Sequence, residues 1–336
     1  MSYAITSTYS GEVLEAFITK AFTGNDTVDK GLLMVRSGIQ KEYTIPRMTL
    51  SEIVQDRIAT PETPVNSQGI FTLDEKKLEP QDFMVYTEFN PRDLEQFWRF
   101  AQPKGNLVFR ELDPTVQVTM VSEIFKRLNL YLGTAIWHGK KTTSGTMTTG
   151  GAAGGIEPGS GNLNKFDGLL FKMLYSVING STGDQVILSG NSRLNTGAAI
   201  ITALNDLFNA IPKSIRGAKD LKIVMDWATW DLYDQHLIEQ QFKNADYTGT
   251  NRDSFRGIRI VKVNGFPVET LLSGRFSPSM QSNLWMGVDV VNDDEVLQVD
   301  KLQNNSELYF FKMLMKADTE IPQPSELVLH TPFTLA

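Results

Sequence analysis

Cysteine is absent from the 336-residue chain, which removes disulfides, thiolate nucleophiles and cysteine-based metal sites together. Histidine is nearly absent. The three copies, His138, His236 and His330, fall in different predicted elements, and none has a second His or Glu at metal-binding spacing. An excess of positive charge is also missing: 32 Lys+Arg stand against 39 Asp+Glu, a net charge of −7. Tight non-specific nucleic-acid binding needs clustered cations and is not expected. No run approaches the ~18 consecutive apolar residues of a membrane span. The opening Met1-Ser2-Tyr3-Ala4-Ile5-Thr6-Ser7 has neither the basic start nor the apolar run of a signal peptide. The expectation is a soluble chain made in a cytoplasm, with no cofactor and no metal.

Apolar residues are plentiful, at 41% with 10% aromatic. That is enough to fill a sizeable core and excludes disorder of the whole chain. The length suggests about two domains. Residues 10–23 read as an amphipathic helix, with Ser10 as N-cap, Val13/Phe17/Ala21 and Leu14/Ile18 on the apolar face, and Gly24 after it. A short strand, Leu32–Val35, follows. Neither can bury much alone, so the N-terminal portion reads as an arm that borrows burial from elsewhere. Thr60-Pro61-Glu62-Thr63-Pro64 is a break without helix tolerance. Beyond it, Gly69–Leu73 and Asp82–Phe89 read as two strands of an extended ribbon, joined by a charged turn at Asp74-Glu75-Lys76-Lys77. Such a ribbon is marginal in water unless it lies on another surface.

Asp113-Pro114 opens the strongest predicted helix: N-cap, Pro at the first helical position, then Val121, Ile124/Phe125, Leu128, Tyr131/Leu132 and Ala135/Ile136 as far as Trp137. Residues 142–164 are rich in Gly, Thr and Ser and read as a coreless loop at a subdomain boundary. Helices are predicted over Phe166–Ile178, Ala198–Ile211 and Asp226–Phe242. Strands are predicted at Leu221–Met225, Leu284–Val288, Val296–Val299 and Leu308–Met315. Asn264-Gly265 reads as a hairpin turn joining Ile258–Val263 to Val268–Leu271. The class is α+β, without internal repeats.

Catalytic motifs are not found. Gly133–Lys141 has five residues between its glycines where a phosphate loop has four, and it follows a helix. Gly159-x-Gly161 has Asn164 where a dinucleotide fingerprint needs a third glycine. His138 at a helix end is explained by the dipole. The acidic run Asn292-Asp293-Asp294-Glu295 lacks calcium-loop spacing. Lys76 and Lys77, beside Asp74, Glu75 and Glu79, have two readings: a charged turn that blocks edge pairing, or ion pairs to a neighbouring molecule. Phe97-Trp98-Arg99-Phe100 is assigned to packing or an intersubunit contact. Contact candidates are therefore Asp74, Glu75, Lys76, Lys77, Glu79 and Trp98, together with Phe17 and Phe22 from the arm.

In their order, arm, ribbon, long helix, Gly-rich loop, α+β block and returning strands resemble the HK97-fold major capsid proteins of tailed bacteriophages. Local stretches resemble that family too: Ile45-Pro46-Arg47 before the ribbon, Glu88-Phe89-Asn90-Pro91 after it, and Pro103–Phe109 before the long helix. Phe255–Val261 with Gly265-Phe266-Pro267, Leu284-Trp285-Met286-Gly287 and Phe310–Met315 add to it. The wording especially resembles capsid proteins of crAss-like phages and their relatives. The resemblance implies an N-arm at 1–48, an E-loop at 49–91, a P-domain at 92–165 with the spine helix, an A-domain at 166–295 and P-domain return strands at 296–336. It further implies a non-enzymatic subunit forming hexamers and pentamers of an icosahedral shell around double-stranded DNA. Its partners would be other copies, a separate scaffolding protein, portal and decoration proteins, and its location the virion. Lys76 and Lys77 lie in the element that carries the family's cross-linking lysine, but no Asn partner is assignable, so no cross-link is expected. The alternatives are an encapsulin-like nanocompartment shell, or a hydrolase using dispersed carboxylates.

Overall fold

The computed structural model describes residues 7–8, 25–50, 53–54, 71–90, 114–143, 145–152, 154–181, 183–239, 253–289, 297–303 and 308–336. The predicted helix at 10–23, the break at 60–64, the stretches 97–100 and 103–109 and the acidic run 292–295 lie outside these residues. So do Phe17, Phe22 and Trp98.

The first half of the chain carries β1 (Ser7–Thr8), a single helical turn at Asp26–Asp29, β2 (Met34–Arg36), β3 (Tyr43–Leu50), β4 (Phe71–Leu78) and β5 (Gln81–Phe89). Helix α1 (Pro114–His138), β6 (Met147–Thr148), α2 (Leu169–Asn179), β7 (Ile187–Gly190) and α3 (Gly197–Ala210) follow. Then come β8 (Leu221–Met225), α4 (Trp227–Glu239), β9 (Ser254–Phe255), β10 (Ile258–Lys262) and β11 (Leu271–Arg275). The chain closes with β12 (Trp285–Asp289), β13 (Leu297–Lys301), β14 (Tyr309–Glu320), β15 (Val328–His330) and β16 (Thr334–Leu335).

Two sheets organise the molecule. The first has the order β1-β13-β14-β12-β2, with β5 also paired to β14. The second has the order β7-β15-β11-β8-β10-β9. Helix α1 forms where apolar residues recur at helical spacing: Phe125, Leu128, Leu132, Ala135 and Ile136 are buried, while Leu130 on the far side is 67% exposed. That buried stripe packs with Phe83, Phe311, Met313 and Met315 of the first sheet into the main core. Strand β8 shows why its run is almost continuously apolar. Ile223 and Met225 face Leu204 and Leu207 of α3, whereas Val224 turns into the main core.

Helices α3 and α4 meet at a glycine. A Cβ on Gly197 would lie 2.1 Å from the Cβ of His236, a separation that only a missing side chain allows.

Four expectations are corrected. The Asp74–Lys77 block is not a turn: it lies inside β4, which pairs antiparallel with β3 from Tyr43↔Leu78 to Leu50↔Phe71. The predicted second leg, β5, pairs with β14 instead over Tyr309↔Phe89 to Ala317↔Gln81. The real break is Glu79-Pro80, where proline cannot donate to a ladder. Asn264-Gly265 is a turn, with Gly265 at φ +77, yet it makes no hairpin. Strand β8 lies between β10, its parallel neighbour, and β11, its antiparallel one.

The Gly-rich segment is not coreless. Strand β6 within it pairs with β16, and Met147 and Ala152 are buried. Gly150, at φ +58, lies so close to Pro332 that a Cβ would stand 1.9 Å from its carbonyl oxygen. Residues 25–48 also have their own burial. Leu32, Leu33 and Ile39 are 0–4% exposed, and β2 lies parallel to β12.

Candidate functional site

The β3–β4 ribbon has two chemically different faces, fixed by its register. On one face stand Tyr43, Ile45 and Arg47 with their partners Leu78, Lys76 and Asp74. On the other stand Thr44, Pro46 and Met48 with Lys77, Glu75 and Leu73, and Phe71 beyond them.

The first face is turned to the body. Ile45 and Leu78 are buried with Ile39 and Trp285, and Tyr43 stacks on Trp285 at 6.3 Å between ring centroids. Further along, the contact becomes ionic. Arg47 donates through Nη1 to Asp184 Oδ1 at 2.5 Å and to the Pro322 carbonyl at 3.0 Å. Its Nη2 donates to Asp74 Oδ2 at 2.5 Å, and Lys76 Nζ lies 3.3 Å from Asp184 Oδ2. Hydrogen bonding to Asp184 raises the Arg47 pKa above its ordinary value. The Glu75 backbone N–H, with Arg47, holds the Asp74 carboxyl below the usual range.

The second face is turned outward. Met48 is 66%, Phe71 63% and Leu73 78% exposed, an apolar group with nothing of the described body over it. Closer to the root, Lys77 lies 3.9 Å from Glu42 and 3.7 Å from Glu75. A second outward apolar group lies on the first sheet. Met84 and Leu314, directly opposed across β5 and β14, are both about half exposed, and Tyr86 stacks on Phe310 at 6.2 Å.

Of the charged residues predicted from sequence, Lys76 thus binds the chain's own body at Asp184, Asp74 pairs with Arg47 within the ribbon, and Glu75 and Lys77 face out. Glu79 sits at the root, where its backbone N–H donates to Asp318 Oδ2 at 3.0 Å. The inward attachments that sequence reasoning missed are Asp184 and a buried cluster. In that cluster Lys172 Nζ lies 3.1 Å from Asp318 and 2.9 Å from Glu320. Burial is the main cause raising the Asp318 pKa, with Lys172 opposing it.

His138 is another correction. It is buried, and desolvation lowers its pKa to about 4. It is a neutral core residue and not a cation on the α1 dipole. Among the described residues no group of three His, Asp or Glu could hold a metal ion, and no helix is long and apolar enough to cross a membrane.

No family model and no curated protein matches the chain. Solved structures do. A chain from the satellite phage P4 procapsid that includes the size determination (Sid) protein aligns with a TM-score of 0.60 at 14% identity, covering 97% of this chain and 92% of that one. The capsid of an empty GTA particle aligns at 0.56 and 10% identity, over 98% and 95%. The capsid of Myoviridae phage XM1 aligns at 0.52 and 12%, again over 98% and 95%. The architecture is therefore an α+β fold shared with these capsid subunits. It is the HK97-like capsid fold, extending over nearly the whole chain.

Proposed function

We propose that the chain is a major capsid protein, a non-enzymatic subunit that assembles as hexamers and pentamers into an icosahedral shell around phage double-stranded DNA. The observation that carries this reading is the likeness of fold to capsid subunits over 97% of the chain. The amphipathic ribbon supports it. A paired ribbon whose root is buried and whose outward face ends in Met48, Leu73 and Phe71 exposes apolar surface that a monomer gains nothing by keeping wet. A closed shell buries such surface at many contacts at once, and later contacts form at high effective concentration.

In this reading residues 1–48 are the N-arm and 49–91 the E-loop, whose ribbon takes its first strand from β3 at the arm's end. Residues 92–165 and 296–336 form the P-domain, and 166–295 the A-domain. The contact candidates are Glu75 and Lys77 on the ribbon's outward face, Asp74 and Lys76 on its inward face, Glu79 at its root, and Phe17, Phe22 and Trp98. Partners are other copies, a scaffolding protein, portal and decoration proteins. The place of action is the virion, after assembly in the host cytoplasm.

Expression of the chain, alone and with its neighbouring genes, followed by electron microscopy and sedimentation tests this. Closed icosahedral particles that package DNA support it. A monomer or dimer under every condition, or shells filled with an enzyme, overturns it.

A further inference from the structure

Strand β5 is the edge of its sheet. It pairs with β14 from Gln81 to Phe89, and no other strand among the described residues pairs with it. Alternate residues of an antiparallel strand turn their N–H and C=O to one neighbour, so the rest point away from β14. A groove of about 730 Å³ lies on this strand, and its wall takes in all five residues from Phe83 to Thr87. Successive strand residues face opposite sides of a sheet. A groove that touches five in a row therefore runs along the backbone edge and not over one face. Helix α1 supplies the facing wall, with Ile124, Leu130 and Tyr131.

Arg127 and Lys165 also line the groove, and neither makes an ion pair among the described residues. The carboxylates of β5 and α1 are all engaged: Asp82 with Lys316, Glu88 with the Tyr86 hydroxyl, and Glu123 with Lys126. In a chain of net charge −7, the groove thus keeps a local surplus of positive charge.

We propose that this edge receives an extended segment of a partner protein, added to β5 as a further strand. The segment carries apolar side chains at alternate positions and carboxylates beside them. Backbone chemistry selects an extended chain: a helix spends its own N–H and C=O groups internally and has none to offer a strand edge. The alternate apolar side chains match the exposed Met84 and Tyr86 on one side and the apolar residues of α1 on the other.

Size agrees. Five strand residues span about 16 Å, which gives a groove of about 730 Å³ a cross-section of about 45 Å². One strand of a packed sheet fills about 48 Å², from a spacing of about 4.8 Å between strands and about 10 Å between sheets.

Charge selects the partner. The two free cations attract carboxylates, and they disfavour a second copy of this chain at the same edge. Pairing two β5 edges would bring Arg127 and Lys165 of each copy towards those of the other, and like charges opposed across a ladder destabilise it.

The test uses the unassembled full-length chain and a fluorescent seven-residue peptide of alternating valine and threonine with glutamate at both ends. Anisotropy is expected to show severalfold tighter binding than for the same peptide with lysine ends at low salt, and a smaller difference at high salt. A central proline, which cannot donate to a ladder, is expected to weaken binding severalfold. Amide exchange read residue by residue should find the outward amides of residues 81–89 fast in the free chain and slowed by the peptide. Arg127→Glu with Lys165→Glu is expected to reverse the preference to lysine ends. Arg127→Glu alone, at an exposed position, should erase it.

Absence of binding, equal binding of the proline peptide, or an unchanged glutamate preference in the variants overturns the proposal. So do outward amides already slow in the free monomer, which would mean that the chain covers its own edge. Amides slowed only on dimerisation would give the edge to a second copy and overturn it too. None of these outcomes depends on whether the chain forms shells.

Discussion

Arg47 and Asp184, 137 positions apart in sequence, meet through two hydrogen bonds of 2.5 and 3.1 Å and pin the ribbon to the body. Asp184 follows α2, and Arg47 stands in the middle of β3. The pair therefore sets the angle at which the ribbon leaves the molecule.

Replacing Asp184 by Asn should loosen that root. Arg47 is only 14% exposed at its side chain and would keep Asp74 as its one carboxylate partner. A loss of about 1–3 kcal/mol is expected. Faster proteolysis between residues 50 and 71, with helix content unchanged, is the accompanying sign. Unchanged cleavage and unchanged denaturation midpoints would refute the role.

Lys172→Met should cost more. It leaves Asp318 and Glu320, with side chains 8% and 18% exposed, without their shared cation. Breaking a buried pair from one side typically costs about 3–5 kcal/mol. The loss should shrink as the pH falls towards the range where Asp318 protonates. Denaturant titrations at pH 8 and pH 5 measure it.

The stability of the wild-type chain should fall as the pH drops below about 6.5, the ordinary histidine value. His138 is held neutral down to about 4 in the fold, whereas the unfolded chain takes up the proton from about 6.5 downward. The contribution is complete above the unfolded value and is lost between the two. The loss from this group is at most about 3 kcal/mol. His330 shifts in the same direction, also through burial. In His138→Gln, the slope between pH 6.5 and 4 should be visibly shallower by thermal melting.

Gly197→Ala should destabilise through the α3–α4 contact, by about 1–3 kcal/mol or more, since its Cβ would fall 2.8 Å from the Leu232 carbonyl as well as against His236. A melting temperature equal to wild type would count against this packing.

Leu73→Asp should act in the opposite manner. At 78% exposure the side chain contributes little to the lone subunit, so melting should be nearly unchanged. Shell formation, followed by sedimentation, should drop sharply if the outward ribbon face is buried between copies. A variant that assembles like wild type would remove that face from the interface.

Local patterns were readable where one side chain follows another at a fixed period. Residues 114–138 announced α1 through Phe125, Leu128 and Leu132, and Leu221–Met225 announced β8 through its apolar run. The ribbon misled because charged residues are uncommon in strands. The pairing of Asp74 with Arg47 across the ladder, which makes them stable there, is invisible along the chain. His138 misled for a related reason: its position at a helix end was legible, but the Phe333 ring 6.1 Å away was not.

From its residues alone the chain determined that residues 114–138 form a helix opened by Pro114, that Leu221–Met225 is a strand, and that no disulfide braces them. Periodicity, proline geometry and the lack of thiols act within a few bonds, so they need no partner. The tertiary structure alone decided that β4 pairs with β3 and not β5, that β8 separates β10 from β11, and that Asp184 anchors the ribbon. Backbone donors and acceptors are chemically alike in every strand. Which ones meet is therefore settled only when the whole chain has found the arrangement that buries its apolar faces.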